Sequence, residues 1–256
     1  MKRFAVAAMV MAAMLVGATS AFAAVNNYNA TYKFKGKPGT ASKPAPLSFQ
    51  QNIKVTPATP GSRAGLLHTI KTTISNVKVD TKGFPTCTAK QIAGASNFDK
   101  VCNKKALVAH GGIAAQLGGS DFTQPGQACN PHLDVWNSGK GKLTFFFVSD
   151  ASGKHSCLGG QIHTGQVGPF PASYKQQGKN LSVTIPIPNF VDQPVPSLFG
   201  SLQGENLLWK SQTVKGKSDI VSTGCKGKRK FTWAFNASLP GSGPETKKYK
   251  GSAACG

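Results

Sequence analysis

Four histidines, His110, His132, His155 and His163, recur along one part of the chain, with Asp121, Asp134 and Asp150 among them. Neutral imidazole together with carboxylate suits Zn²⁺ or Cu²⁺. Their spacings match no ligand motif, and residues on separate strands need not meet, so the sequence assigns no metal and no cofactor. Turn and edge positions readily hold solvated histidines, and these four are read that way. His68 stands inside an apolar run and reads as a core or edge histidine.

Catalytic signatures are missing. A nucleophile elbow needs G-x-S-x-G, and Gly200-Ser201-Leu202-Gln203-Gly204 places its serine one residue too early. H-E-x-x-H is absent, and Asp80-Thr81 is followed by Lys82 where an aspartic-protease loop has glycine. The 9 acids are scattered, and no pair is marked for glycoside cleavage. Leu117-Gly118-Gly119-Ser120 has neither glycine pattern of a phosphate loop and reads as a turn. No catalytic residue is assigned, and the chain reads as non-enzymatic. The alternative is a secreted hydrolase or carbohydrate-active module whose site follows no familiar motif. For carbohydrate stacking the candidates are Trp136 and Trp209, each beside polar residues, with Tyr28 and Tyr174 behind them. Trp233, in phase with Phe231 and Phe235, belongs to the core.

Charge carries the strongest chemical signal. Without Lys2 and Arg3, the 30 Lys and Arg become 28 against 9 Asp and Glu, a net charge of +19. Only Arg63 and Arg229 then remain as arginines. Lysine is a mobile, hydrated point charge without arginine's bidentate fork, so such a surface suits diffuse attraction to polyanions over sequence reading. The densest run is Lys226, Lys228, Arg229 and Lys230 just after Cys225, joined by Lys247, Lys248 and Lys250 before Cys255. These seven residues are the candidate polyanion-binding set. The partners expected are anionic cell-wall polymers or polysaccharide, with no specific nucleic acid.

The compartment follows from the N-terminus and the cysteines. Lys2 and Arg3, the uncharged apolar stretch from Phe4 to Val16, and Ala21-Phe22-Ala23 make a signal peptide over 1–23. The apolar run is shorter than the roughly 20 residues that cross a bilayer, and no later segment reaches that length, so no membrane span is expected. The mature protein is expected to be secreted, extracellular or at the cell surface. All 6 cysteines, Cys87, Cys102, Cys129, Cys157, Cys225 and Cys255, follow the signal, which points to disulfides. Six cysteines allow 15 pairings, among which sequence alone does not choose. Sequential pairing is the expectation; each bond would close a modest loop worth roughly 3 kcal/mol. Cys225–Cys255 would draw the two lysine runs into one patch.

The elements that must position these residues alternate with period two. Tyr28, Ala30, Tyr32 and Phe34 share one face, as do Phe49, Gln51, Ile53 and Val55. Leu66, Ile70, Thr72 and Ile74 share one parity and Val77 and Val79 the other, which predicts a bulge or break at Ser75-Asn76. Further strands are predicted at Ile113–Leu117, Leu143–Phe147 after an Asn137-Ser138-Gly139 turn, Leu181–Ile187 and Phe231–Phe235. Pro186 and Pro188 place the end or an edge of one of them. Thr88 and Gln91 predict a capping box and one short helix stopped by Gly94. The fold class is all-β, an antiparallel β-sandwich with one short helix, stapled by disulfides. One domain over 24–256 is expected, with a partly separate C-terminal portion from about 205 as an alternative.

Phe84-Pro85-Thr86-Cys87-Thr88-Ala89-Lys90-Gln91-Ile92, followed by Cys102 and Val108 to Gly112, resembles a group of uncharacterised secreted proteins of actinobacteria. Their pattern is P-x-C, a short helix, a second cysteine and a glycine-containing strand. The chain's end, with Cys225, the Phe231–Phe235 strand and Cys255, is similar to theirs. Asn103 stands where those proteins usually have proline after the second cysteine. The resemblance implies an extracellular β-rich fold with Cys87 bonded to Cys102, and implies no activity.

Overall fold

The computed structural model describes residues 25–96 and 98–256. The expected signal peptide, 1–23, lies outside the described residues. In chain order the elements begin with β1 (Asn26–Gly36), β2 (Ala45–Pro57), β3 (Leu66–Ser75) and β4 (Val77–Val79), then the short helices α1 (Ala89–Ala93) and α2 (Phe98–Val101). β5 (Leu107–Gly118), β6 (Gln127–Cys129), β7 (His132–Gly139), β8 (Lys142–Val148), β9 (Phe170–Gln177) and β10 (Asn180–Pro186) lead to α3 (Asn189–Asp192). β11 (Phe199–Trp209), β12 (Thr213–Val214), β13 (Lys217–Ser218), β14 (Ile220–Ser222), β15 (Lys228–Ser238) and β16 (Glu245–Ala254) complete the chain.

Alternation becomes a sandwich because one antiparallel sheet, ordered β16-β15-β3-β10-β9-β8-β7-β5-β11-β2-β1, folds over on itself. Tyr28 of β1 stacks on Phe235 of β15 at 4.2 Å, and Tyr32 on Trp233 at 5.2 Å. The Val25 N–H donates to Glu245 at 2.8 Å, bringing the two ends of the sheet together. The core is the inward parity of each strand: Phe49 and Val55 of β2, Ile70 and Ile74 of β3, Leu207 of β11 and Phe231, Trp233 and Phe235 of β15. This is the all-β antiparallel fold that the period-two pattern predicts. The C-terminal strands join the same sheet: β11 pairs with β2 and β5, and β15 with β3.

Local chemistry explains the breaks. Asn76, at φ +55°, separates β3 from β4 where the parity switches; asparagine tolerates the left-handed region. The Thr88 hydroxyl accepts from the Gln91 N–H and the Gln91 side chain from the Thr88 N–H, the capping box of α1. Two more short helices, α2 and α3, accompany it where one was expected; at 4 residues each they have no stripe to read. The turn expected at Asn137-Ser138-Gly139 lies later, at Gly139-Lys140-Gly141, all three left-handed. Asn137 is buried instead, donating to the Pro85 carbonyl at 2.8 Å while its own carbonyl accepts from the Cys87 N–H at 2.7 Å.

The cysteines pair sequentially, Cys87–Cys102, Cys129–Cys157 and Cys225–Cys255. Cys87–Cys102 holds the segment carrying α1 and α2 over the outer face of β7 and β8. There Trp136 and Phe146 pack with Cys87, Ile92 and Cys102 in a second small core.

Candidate functional site

Strand order converts scattered lysines into one surface. Across the sheet one row reads Lys250, Thr232, Thr73, Ser182, Lys175, and the next Lys248, Ala234, Lys71, Thr184, Ser173, Lys142. Lys230 and Lys228 extend it opposite Ser252 and Ala254. These positions have the parity opposite to Ile70, Val183 and Trp233, so they face outward, and all seven lysines are exposed. No outward position of β3, β9, β10, β15 or β16 is an Asp or Glu. With strands about 4.8 Å apart, the lysines spread over a face roughly 24 Å wide. Lys226 sits exposed in the turn before β15, beside the Cys225–Cys255 bond.

Two of the expected polyanion contacts do not belong to this face. Arg229 is 0% exposed; its guanidinium donates to the Ser75 and Asn76 carbonyls and to the Ser222 hydroxyl, each at 2.7 Å, and lies over the Phe34 ring. Its parity is that of Phe231 and Trp233, and burial lowers its pKa. Lys247 has the parity of Tyr249 and approaches Glu245 at 4.0 Å. Arg63 is buried too, capping carbonyls of Gly119, Asp121, Gln124 and Phe199. A Cβ on Gly118 would stand 2.7 Å from its guanidinium carbon, so glycine makes the room. Both arginines of the described chain are therefore structural, and the surface cations are lysines.

No known family model, curated protein or solved structure matches the chain. Function must be argued from geometry.

Three of the four grouped histidines do meet. The His110 and His132 rings lie 6.0 Å apart, His132 and His155 5.5 Å, and His132 Nε2 is 3.6 Å from Asp134. Burial, then the neighbouring His110 and His155, push His132 below its usual 6.5, with Asp150 opposing. Among the described residues no group of three or more His, Cys, Asp or Glu is arranged to hold a metal ion. His163 stands apart, exposed to solvent at the edge of a cavity between the inner faces of the sheet. The tryptophans expected to be exposed are not: Trp136 and Trp209 are each 6% exposed, the first under the Cys87–Cys102 segment, the second donating to Gln51 at 3.1 Å and stacked on Phe49. Polar sequence neighbours had suggested exposure, but tertiary cover decides it.

His68 makes a contact that sequence reading missed. Thr69 faces Asn236 but Leu67 faces Ala237, which leaves His68 as the extra residue of a β-bulge. Bulges re-aim side chains. Here His68 Nε2 lies 2.7 Å from the Ser238 hydroxyl and Nδ1 3.5 Å from the Asp192 carboxylate. Ser238 is buried, and the Leu239 N–H beside it already donates to Ser242.

The interior cavity, about 120 Å³, lies between the inner faces of the sheet. Ile113, Leu133, Phe145 and Ile185 line it, and the Cys129–Cys157 segment and α3 close one end. Two carboxyls, Glu205 and Asp192, are on its wall, and burial pushes each up to about 7. Gln51 donates to Glu205 and so opposes part of its shift. On the outside of β1, β2, β11 and β5 an open groove is floored by Gly112 and Gly204 and rimmed by Asn29, Asn52, Gln203 and Asn206.

Proposed function

We propose that this is an exported, non-enzymatic protein that holds anionic envelope polymers or acidic polysaccharide on the outward lysine face of its sheet. The observation that carries this reading is seven exposed lysines on one acid-free face. Threonines and serines between them supply short neutral hydroxyls, so the ammonium groups stand clear of competing carboxylates. Both arginines are held inside, which leaves contacts that attract phosphate, sulfate or carboxylate without reading a sequence. Three disulfides fit an oxidising compartment. No helix among the described residues is long and apolar enough to cross a membrane.

Dextran sulfate is a suitable probe. Replacing Lys71, Lys228, Lys230, Lys248 and Lys250 by Gln should weaken binding at least tenfold. Replacing Lys82, Lys90, Lys104, Lys105 and Lys210, which are equally exposed elsewhere, removes the same net charge. Equal weakening by the two sets would refute a dedicated face.

A second reading, a secreted hydrolase, draws on the Asp192–His68–Ser238 line, whose residue types and order of contact are those of a serine nucleophile with its base and orienting acid. The buried hydroxyl and the occupied Leu239 amide weigh against it. Covalent labelling of wild type by a fluorophosphonate, lost in Ser238→Ala, would establish this reading; an unlabelled wild type would dismiss it.

A further inference from the structure

We propose that the interior cavity is a binding site for a small apolar amine, its hydrocarbon part among the core side chains and its ammonium against the Glu205 carboxylate. The cavity, about 120 Å³, is smaller than the about 150 Å³ that admits benzene, so the hydrocarbon part it takes is a short branched chain smaller than a phenyl ring. Its wall is mainly Ile, Leu, Val and Phe from both layers, so an apolar body gains from leaving water there.

Charge selects the head group. The chain has 30 Lys and Arg against 9 Asp and Glu, yet no Lys or Arg lines the cavity, whose basic side chain is the exposed His163, and two of the carboxyls do. Glu205 is 7% exposed and Asp192 8%. Gln51 gives the Glu205 carboxyl a single hydrogen bond on one oxygen, Oε1. A buried carboxyl with one neutral donor is poorly compensated, and an ammonium placed beside it supplies charge and donors together. A carboxylate ligand would instead bring a third acid into the space, and a plain hydrocarbon would leave Glu205 as it is. The site is on the opposite side of the sheet from the lysine face and does not depend on it.

Calorimetric titration of the protein with isobutylamine, isobutanol and isobutyrate, at 0.3 M salt, tests the assignment. Isobutylamine should bind at least tenfold tighter than isobutanol, and isobutyrate should not bind. Glu205→Gln should abolish the tenfold preference and leave isobutanol binding unchanged. Ala115→Leu, which fills the cavity from β5 and retains Glu205, should weaken both ligands. A wild type that binds no isobutylamine, that binds isobutyrate equally well, or whose preference survives Glu205→Gln, overturns the proposal. Unfolding temperatures of both variants establish that they are folded.

Discussion

Glu205→Gln should make the protein more stable at neutral pH, and the structure gives the size of the effect. The side chain points inward from β11 with the parity of Leu207 and Trp209 and accepts from Gln51. Burial raises its pKa from 4.5 to about 7. The unfolded chain therefore releases this proton first, and the folded state binds more protons between those two values. The contribution to stability is fully present below pH 4.5 and is lost as pH rises to about 7. At 1.36 kcal/mol per unit the loss is about 3 kcal/mol. Glutamine keeps the shape and the acceptor but cannot ionise. Urea unfolding with the disulfides intact should show the variant within about 0.5 kcal/mol of wild type at pH 4.5, where Gln replaces a neutral carboxyl of like shape. At pH 7.5 it should be about 3 kcal/mol more stable. A variant less stable than wild type at pH 7.5, or one with unchanged pH dependence, would refute the reasoning.

Other consequences are as direct. Arg229→Lys loses the fork that joins Ser75, Asn76 and Ser222; thermal unfolding should register a loss of about 2–4 kcal/mol, with affinity for dextran sulfate unchanged. The Cys87→Ser, Cys102→Ser double variant should lose about 2–4 kcal/mol and expose Trp136, so acrylamide quenching should rise while the buried Trp233 stays protected. His132 should titrate below 6.5 by NMR and move upward in His110→Ala, because a neighbouring positive charge is gone; an unmoved His132 would mean that burial acts alone.

Much of the fold was legible because each strand carries its own parity. The apolar faces of β1, β3 and β15, the break at Asn76 and the capping box of α1 are all local signals. The sign of Arg229 was legible too, though easily missed: it shares the parity of Phe231 and Trp233, whereas Lys228 and Lys230 do not. Local reading failed where a distant segment supplied the cover. Trp136 has polar neighbours in sequence but lies under α1 and the Cys87–Cys102 bond. The lysine face could be read only in part. Parity sends Lys71, Lys142 and Lys175 outward, yet only the order β15-β3-β10-β9-β8 sets them beside Lys228, Lys230, Lys248 and Lys250. His68, Ser238 and Asp192 come from three elements and meet through a bulge that periodicity alone does not place.

The salt dependence of binding to an oligothymidylate, used as a flexible polyanion of known charge spacing, tests the lysine face most directly. At about 0.7 released counterions per contact, seven lysines set a slope of log K against log salt near −5, or a loss of about 10³-fold between 50 and 200 mM. Wild type should approach that slope and bind oligodeoxyadenylate with similar affinity. The variant lacking Lys71, Lys228, Lys230, Lys248 and Lys250 should fall to a slope near −1 to −2. A wild-type slope near zero, or a variant as steep as wild type, would contradict the account.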